Sequence, residues 1–248
     1  MLTLVRRLRP WLAAAGGALA VGVLVPPAGT AARQYVFAQA VQYAVLAVVV
    51  PALVVLGAPW RLVSGSRFAR SRRPAPARCW AILVGFLAVA LAWRLPAAVN
   101  ALVRYPPLTV AEAVTLIAAG CAPWLELVES PPLLPRIRRP LRAAFAALPM
   151  WSIWASAYVM GFSSTTWFSA LAHRPGHGLG LAADQQIAAA LLFAIAGLCF
   201  VPVVYFSLIT WLRDSADPDD ELRAAQPAGP APAARLAASV KLNAPTGG

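Results

Sequence analysis

Six long apolar runs, each bounded by arginine, proline or both, constrain this chain more than any other feature of it. Their approximate limits are 11–25, 35–58, 79–99, 108–127, 143–163 and 185–212. Most approach or exceed the roughly 20 residues that a helix needs to cross the hydrocarbon of a bilayer. No water reaches a backbone amide there, so each run must satisfy its own hydrogen bonds as a helix rather than as an open strand. The implied fold class is all-α, a polytopic transmembrane helix bundle of about six spans over residues 1–213. Composition agrees, because only 12% of the 248 residues are charged, against about 25% in a soluble domain.

The basic residues give an orientation. Arginines precede the first run (Arg6, Arg7, Arg9) and fill the second–third loop (Arg61 to Arg78). They recur at Arg136, Arg138, Arg139 and Arg142 and follow the last run, with Lys241 beyond. Of the 21 basic residues only Arg33, Arg94, Arg104 and Arg174 fall on the other side of a six-span arrangement. That excess predicts both termini inside, N-in/C-in, in the cell inner (plasma) membrane. The net charge of +12 is therefore assigned to lipid head groups, and the lipid bilayer is the first partner. No nucleic acid is expected, since no aromatic-studded basic surface accompanies the clusters.

Two ends of the chain need separate readings. MLTLVRRLRP, the apolar stretch from Trp11 to Val25 and PPAGTAA read as a retained helix, with a cleaved signal segment over residues 1–32 as the alternative. Residues 214–248, rich in alanine, proline and glycine and without an apolar stripe, read as a disordered cytoplasmic tail.

Soluble enzyme chemistry finds no motif here: GxxxxGK, GxSxG and HExxH are all missing from the sequence. No catalytic residue is assigned. Cys79, Cys121 and Cys199 have no metal-ligand spacing and read as small packing residues. His173 and His177 are weak metal candidates, because Pro175 and Gly176 between them oppose the helix that would align them.

Polar side chains inside spans are costly, which makes each one a candidate for function. Gln39, Gln42 and Tyr43 share one face of the second run by their i, i+3, i+4 spacing. Thr109, Glu112 and Ala113 repeat that spacing in the fourth, and Asp184, Gln185 and Gln186 open the sixth. In the orientation above all three sets lie at the outer ends of their helices, where they can converge. Asp184 also has the position of a helix N-cap, and the glutamines that of interhelical hydrogen-bond partners. Glu112 needs a partner charge, which Arg94 or Arg104 can supply. Glu126, at the other end of the same run, reads as an exposed anchor.

These residues resemble the CtaG family, the multi-span assembly factors of caa-type cytochrome c oxidase. YVFAQAVQYAVLAVVVPALVVLGAPWRL is similar to that family's second-span block, ending in Pro51, Leu53, Leu56, Gly57, Ala58 and Pro59. RLPAAVNALVRYPPLTVAEAVTLIAAGCAPW resembles the following block, and ADQQIAAALLFAIAGLCFVPVVYFSLITWLRD the closing Asp-Gln-Gln helix. The family-matched polar site is then Gln42, Glu112, Asp184, Gln185 and Gln186. The family's histidines fall on Gln39, Tyr43, Thr109 and Ala113, none of which is an imidazole. Imidazoles at i and i+4 on facing helices suit copper, so the resemblance implies a member without the metal step.

The resulting expectation is a membrane-embedded assembly factor for a haem–copper terminal oxidase of the respiratory chain. It is not an enzyme, and acts by binding terminal oxidase subunits or other assembly factors, without a cofactor or metal of its own. Two alternatives stay open. One is a copper-handling membrane protein with atypical ligands such as Glu112, Tyr43 and the two histidines. The other is a transporter or membrane enzyme with a polar cavity around Glu112 and Asp184.

Overall fold

The computed structural model describes residues 2–59, 76–128, 137, 139–163, 165, 167–172 and 178–216. Among them every regular element is helical. In chain order these are α1 (Leu2–Leu24), α2 (Ala28–Ala31), α3 (Val36–Gly57) and α4 (Pro76–Arg94). Next come α5 (Pro96–Arg104), α6 (Leu108–Leu127) and α7 (Arg139–Phe162). The short α8 (Ser169–Ala172) and the long α9 (Leu181–Ala216) complete the order. Five helices, α3, α4, α6, α7 and α9, are long and apolar enough to cross a membrane, and α1 adds the shorter apolar stretch Pro10–Leu24. About six spans is consistent with this set. The compact unit runs from Met1 to Leu208, and residues 209–248 form a second unit, described only as far as the helical end at Ala216.

Helix α3 is the centre of the compact unit: 72% of its span is buried, against 28–39% for the other four. A helix that is apolar on every side from Ala44 onward suits the centre of a bundle. It packs against α1 on one flank and α6 on another, while α4 packs against α6 and α7. Tyr43, Leu46, Val48, Leu116, Ile153, Met160 and Leu192 are all core residues. Trp124 of α6 stacks on Phe200 of α9, centroids 5.2 Å apart and planes 11° from parallel, which ties the last helix to the sixth.

Small residues set the closest approaches. A Cβ on Gly57 would lie 2.4 Å from the Ala13 backbone nitrogen, and Gly16 packs on Leu53 and Val54, so α1 and α3 touch along a small-residue seam. The residue of α3 that takes up left-handed backbone is the next one, Ala58, at φ 47° and ψ 54°. Gly57 is thus required by proximity rather than by a turn. Midway along α3, Val45–Val49 form a π-helical turn immediately before Pro51. Proline has no N–H to offer the carbonyl of residue i−4, and the widened turn accommodates the loss. That carbonyl, Ala47 O, faces Gly120 of α6, where an added Cβ would sit 2.5 Å from it.

Several expected boundaries move. The run at 79–99 is not one helix: α4 ends at Arg94, Leu95 is extended (ψ 139°), and α5 starts afresh at Pro96. Proline disfavours helical backbone at the residue before it, which places the break. The last helix begins at Leu181, so Asp184 sits inside its first turn rather than before it. Helix α1 continues through Pro10 to Leu2, beyond the expected start at residue 11. Helix α7 begins at Arg139 rather than 143. Glu126 is not an exposed anchor; it is fully buried, with Trp124 and Leu127 beside it in the core.

Candidate functional site

Arg94 is the last residue of α4, and its side chain turns inward, leaving only 6% of its surface exposed. Its guanidinium donates to Gln39 Oε1 at 2.7 Å and to Met160 Sδ at 3.3 Å. Two aromatic faces complete the enclosure: Cζ lies 5.1 Å from the Tyr43 ring centroid and 5.4 Å from that of Phe168. A desolvated cation over such faces gains on the order of 2 kcal/mol. The Tyr43 hydroxyl donates to Ala90 O at 3.0 Å, one turn before Arg94, which fixes the ring in place. Glu112, 1% exposed in the first turns of α6, provides the opposite charge that acts on Arg94. Of the two partners foreseen for Glu112, Arg94 is buried like Glu112 but is hydrogen-bonded to Gln39 and Met160, and Arg104 is exposed.

A chamber of about 140 Å³ adjoins this cluster, lined by Gln39, Gln42, Thr109, Glu112 and Arg33 on its polar side. Leu24, Leu102, Val103 and Val110 are among its apolar walls. Buried polar atoms are normally paired. Here Gln39 Nε2 and Glu112 Oε1 are buried without a hydrogen-bond partner, and both residues belong to the chamber. Gln42 is committed elsewhere through its amide nitrogen, which donates to Val23 O at 3.0 Å and holds the end of α1 to α3.

Asp184 caps a helix, but not its own. Its two carboxylate oxygens accept the Val36 and Phe37 backbone N–H groups at 2.8 and 2.9 Å, closing the N-terminus of α3 from α9. First-turn N–H groups lack intrahelical acceptors, and an anion there also meets the positive end of the helix dipole. Gln185 is a strap: its amide nitrogen donates to Met160 O and its oxygen accepts from Trp167 N–H at 3.3 Å. This holds Trp167 against the C-terminal end of α7. Asn100 does the same from α5, donating to Ser169 Oγ at 3.1 Å and accepting from Ala170 N–H at 2.9 Å.

The sequence-derived site is therefore split. Gln39, Gln42, Thr109 and Glu112 come together at the chamber. Tyr43 is turned to Ala90 and Arg94, and Ala113 is buried in the core. Asp184 and Gln185 brace the surrounding helices, and Gln186 is exposed. His173 and His177 lie outside the described residues. Among the described residues no group of three or more histidine, cysteine or acidic side chains has the closeness of a metal site. Sequence reasoning missed the central place of Arg94 and the roles of Met160 and Phe168. The signal available was an arginine embedded in an apolar run, which the orientation count assigned to a loop.

A family model described as cytochrome c oxidase caa3 assembly factor (Caa3_CtaG) matches residues 3–214 of the chain. The chain belongs to the Caa3_CtaG family. No curated protein and no solved structure is significantly similar to it. Family membership indicates a cytochrome c oxidase assembly factor, and the apolar helices make this Caa3_CtaG member a membrane protein.

Proposed function

We propose that this Caa3_CtaG member assists assembly of a haem–copper terminal oxidase from within the plasma membrane, as a non-catalytic binding partner of oxidase subunits or other assembly factors. It does so without a metal of its own. The observation that carries the second half is the Arg94 guanidinium. It is bonded to Gln39 and laid over Tyr43, at two of the four positions that correspond to family histidines. A fixed cation there repels a second one, and the donors around it are an amide, a phenol already bonded to Ala90 O, and a thioether. Of these only the thioether suits Cu(I), and Met160 Sδ already accepts from Arg94, with no imidazole or thiolate beside it among the described residues. Asp184 spends both oxygens on the end of α3, which weighs against a transport cavity shared by Glu112 and Asp184.

Deletion of the gene is expected to lower the haem–copper oxidase signal in reduced-minus-oxidised membrane spectra while other respiratory complexes persist. Copper analysis of the purified protein is expected to fall well below one metal per chain. An unchanged oxidase signal rejects the assembly role, and stoichiometric copper rejects the metal-free one.

A further inference from the structure

The chamber beside Arg94 holds two polar groups that the protein leaves unsatisfied, Glu112 Oε1 and Gln39 Nε2, on residues 1% and 3% exposed. One is an acceptor in a carboxyl group and the other an amide donor. With Thr109, Gln42 and Arg33 also on its walls, the space offers water several partners at once. Its volume of about 140 Å³ has room for about four to five water molecules at roughly 30 Å³ each. An apolar void of this size stays dry, whereas one with two to four polar partners per water fills.

We propose that Glu112 is a reversible proton-binding site served by water held in this chamber. The chamber is walled by the end of α1, α2 and its connection to α3, the start of α3, α5 and the start of α6. It therefore lies at the end of the bundle where Arg33 and Pro106 mark the connections, and water enters from that side. The charged and titratable groups around Glu112 are few. Arg94 of α4 and Tyr43 of α3 act on it electrostatically without a hydrogen bond to it, and Arg33 stands on the chamber wall. From α5 only Leu102 and Val103 reach the chamber. When Glu112 releases its proton the Arg94–Glu112 pair is neutral; when it takes one up the buried site carries a net positive charge. Proton binding thus changes the charge at the point where α3, α4, α6 and α7 meet.

Infrared difference spectroscopy of the full chain in lipid bilayers tests this. A carboxylic-acid carbonyl band is expected to appear reversibly on acidification, to be missing in Glu112→Gln, and to shift promptly in heavy water. Val103→Trp and Leu24→Trp, which fill the chamber from different walls, are expected to slow that exchange. Glu126 is buried in the same helix but does not line the chamber, and any band lost in Glu126→Gln is expected to exchange more slowly. The proposal is overturned if Glu112→Gln removes no titrating band. It is equally overturned if the Glu112 band exchanges as fast in whichever filled variant retains the native helical spectrum as it does in the parent.

Discussion

Arg94 shows why a single buried cation dominates a membrane-embedded core. Its charge is distributed over an amide oxygen, a thioether, two ring faces and the nearby Glu112. Removing it leaves Glu112 without the compensating charge, a loss of about 3 kcal/mol for a buried charge deprived of its partner. Arg94→Met is therefore expected to lower unfolding stability in mixed micelles by that order. Adding Glu112→Leu should restore much of it, so that the two changes are strongly non-additive; simple additivity would show that the two charges are not coupled. Arg94→Lys should not substitute for the parent, because an ammonium lacks the planar fork that serves Gln39, Met160 and the rings together. Tyr43→Phe is a milder change. It removes one hydrogen bond, worth about 0.6 kcal/mol on average in a membrane protein.

At the level of elements, two devices hold the central helix: an acid from another helix at its start and close backbone contacts along its length. Asp184→Ala removes the acceptor for both Val36 and Phe37 N–H and is expected to destabilise the protein by about 1–2 kcal/mol, as for loss of a helix cap. Asp184→Asn, which keeps an acceptor, should cost less. Amide hydrogen exchange at the two N–H groups distinguishes the local effect from a global one. The contact between Gly120 and Ala47 O makes an opposite kind of demand. Gly120→Ala puts a Cβ against a backbone oxygen in a helix already widened around Pro51, so α3 and α6 must separate. A loss of about 1–3 kcal/mol, the range for overpacking, is expected in thermal unfolding. Gly17 and Gly85 have nothing within 4 Å of an added Cβ; alanine there should be neutral or slightly stabilising, and equal losses at all three positions would refute the close-approach account.

For the whole molecule the decisive quantity is which side of the membrane each connection occupies. By the excess of basic residues the 95–107 connection is expected outside and the second–third loop inside. Tyr105 is 63% exposed, so Tyr105→Cys is expected to react with an impermeant maleimide in intact cells. Ser66→Cys should react only after permeabilisation. The reverse pattern would invert the bundle and move the Glu112 chamber to the cytoplasmic side. The contact of α1 with α3 through Gly57 and the Gln42–Val23 bond makes α1 part of the bundle wall. The protein isolated from membranes is accordingly expected to retain residues 11–24, as N-terminal sequencing would show.

The run of residues determined much of this by itself. Hydrocarbon forces each apolar stretch into a helix, so the all-α class and a count of about six spans follow from pattern alone, and the polar set Gln39, Gln42, Thr109 and Glu112 follows from spacing on two helix faces. Only the tertiary structure decided which side chains those polar groups meet. Arg94 lies within the expected run 79–99 and counts with the outer-side cations, yet its helix ends there and its side chain is buried. Asp184 carried the local signature of a cap for its own helix, but its oxygens find unsatisfied N–H groups at residues 36 and 37, nearly 150 positions away. Hydrogen bonds and charge pairs are satisfied by whatever is near in space. Periodicity reports the face a residue occupies, and only the packing of one helix on another says what lies opposite it.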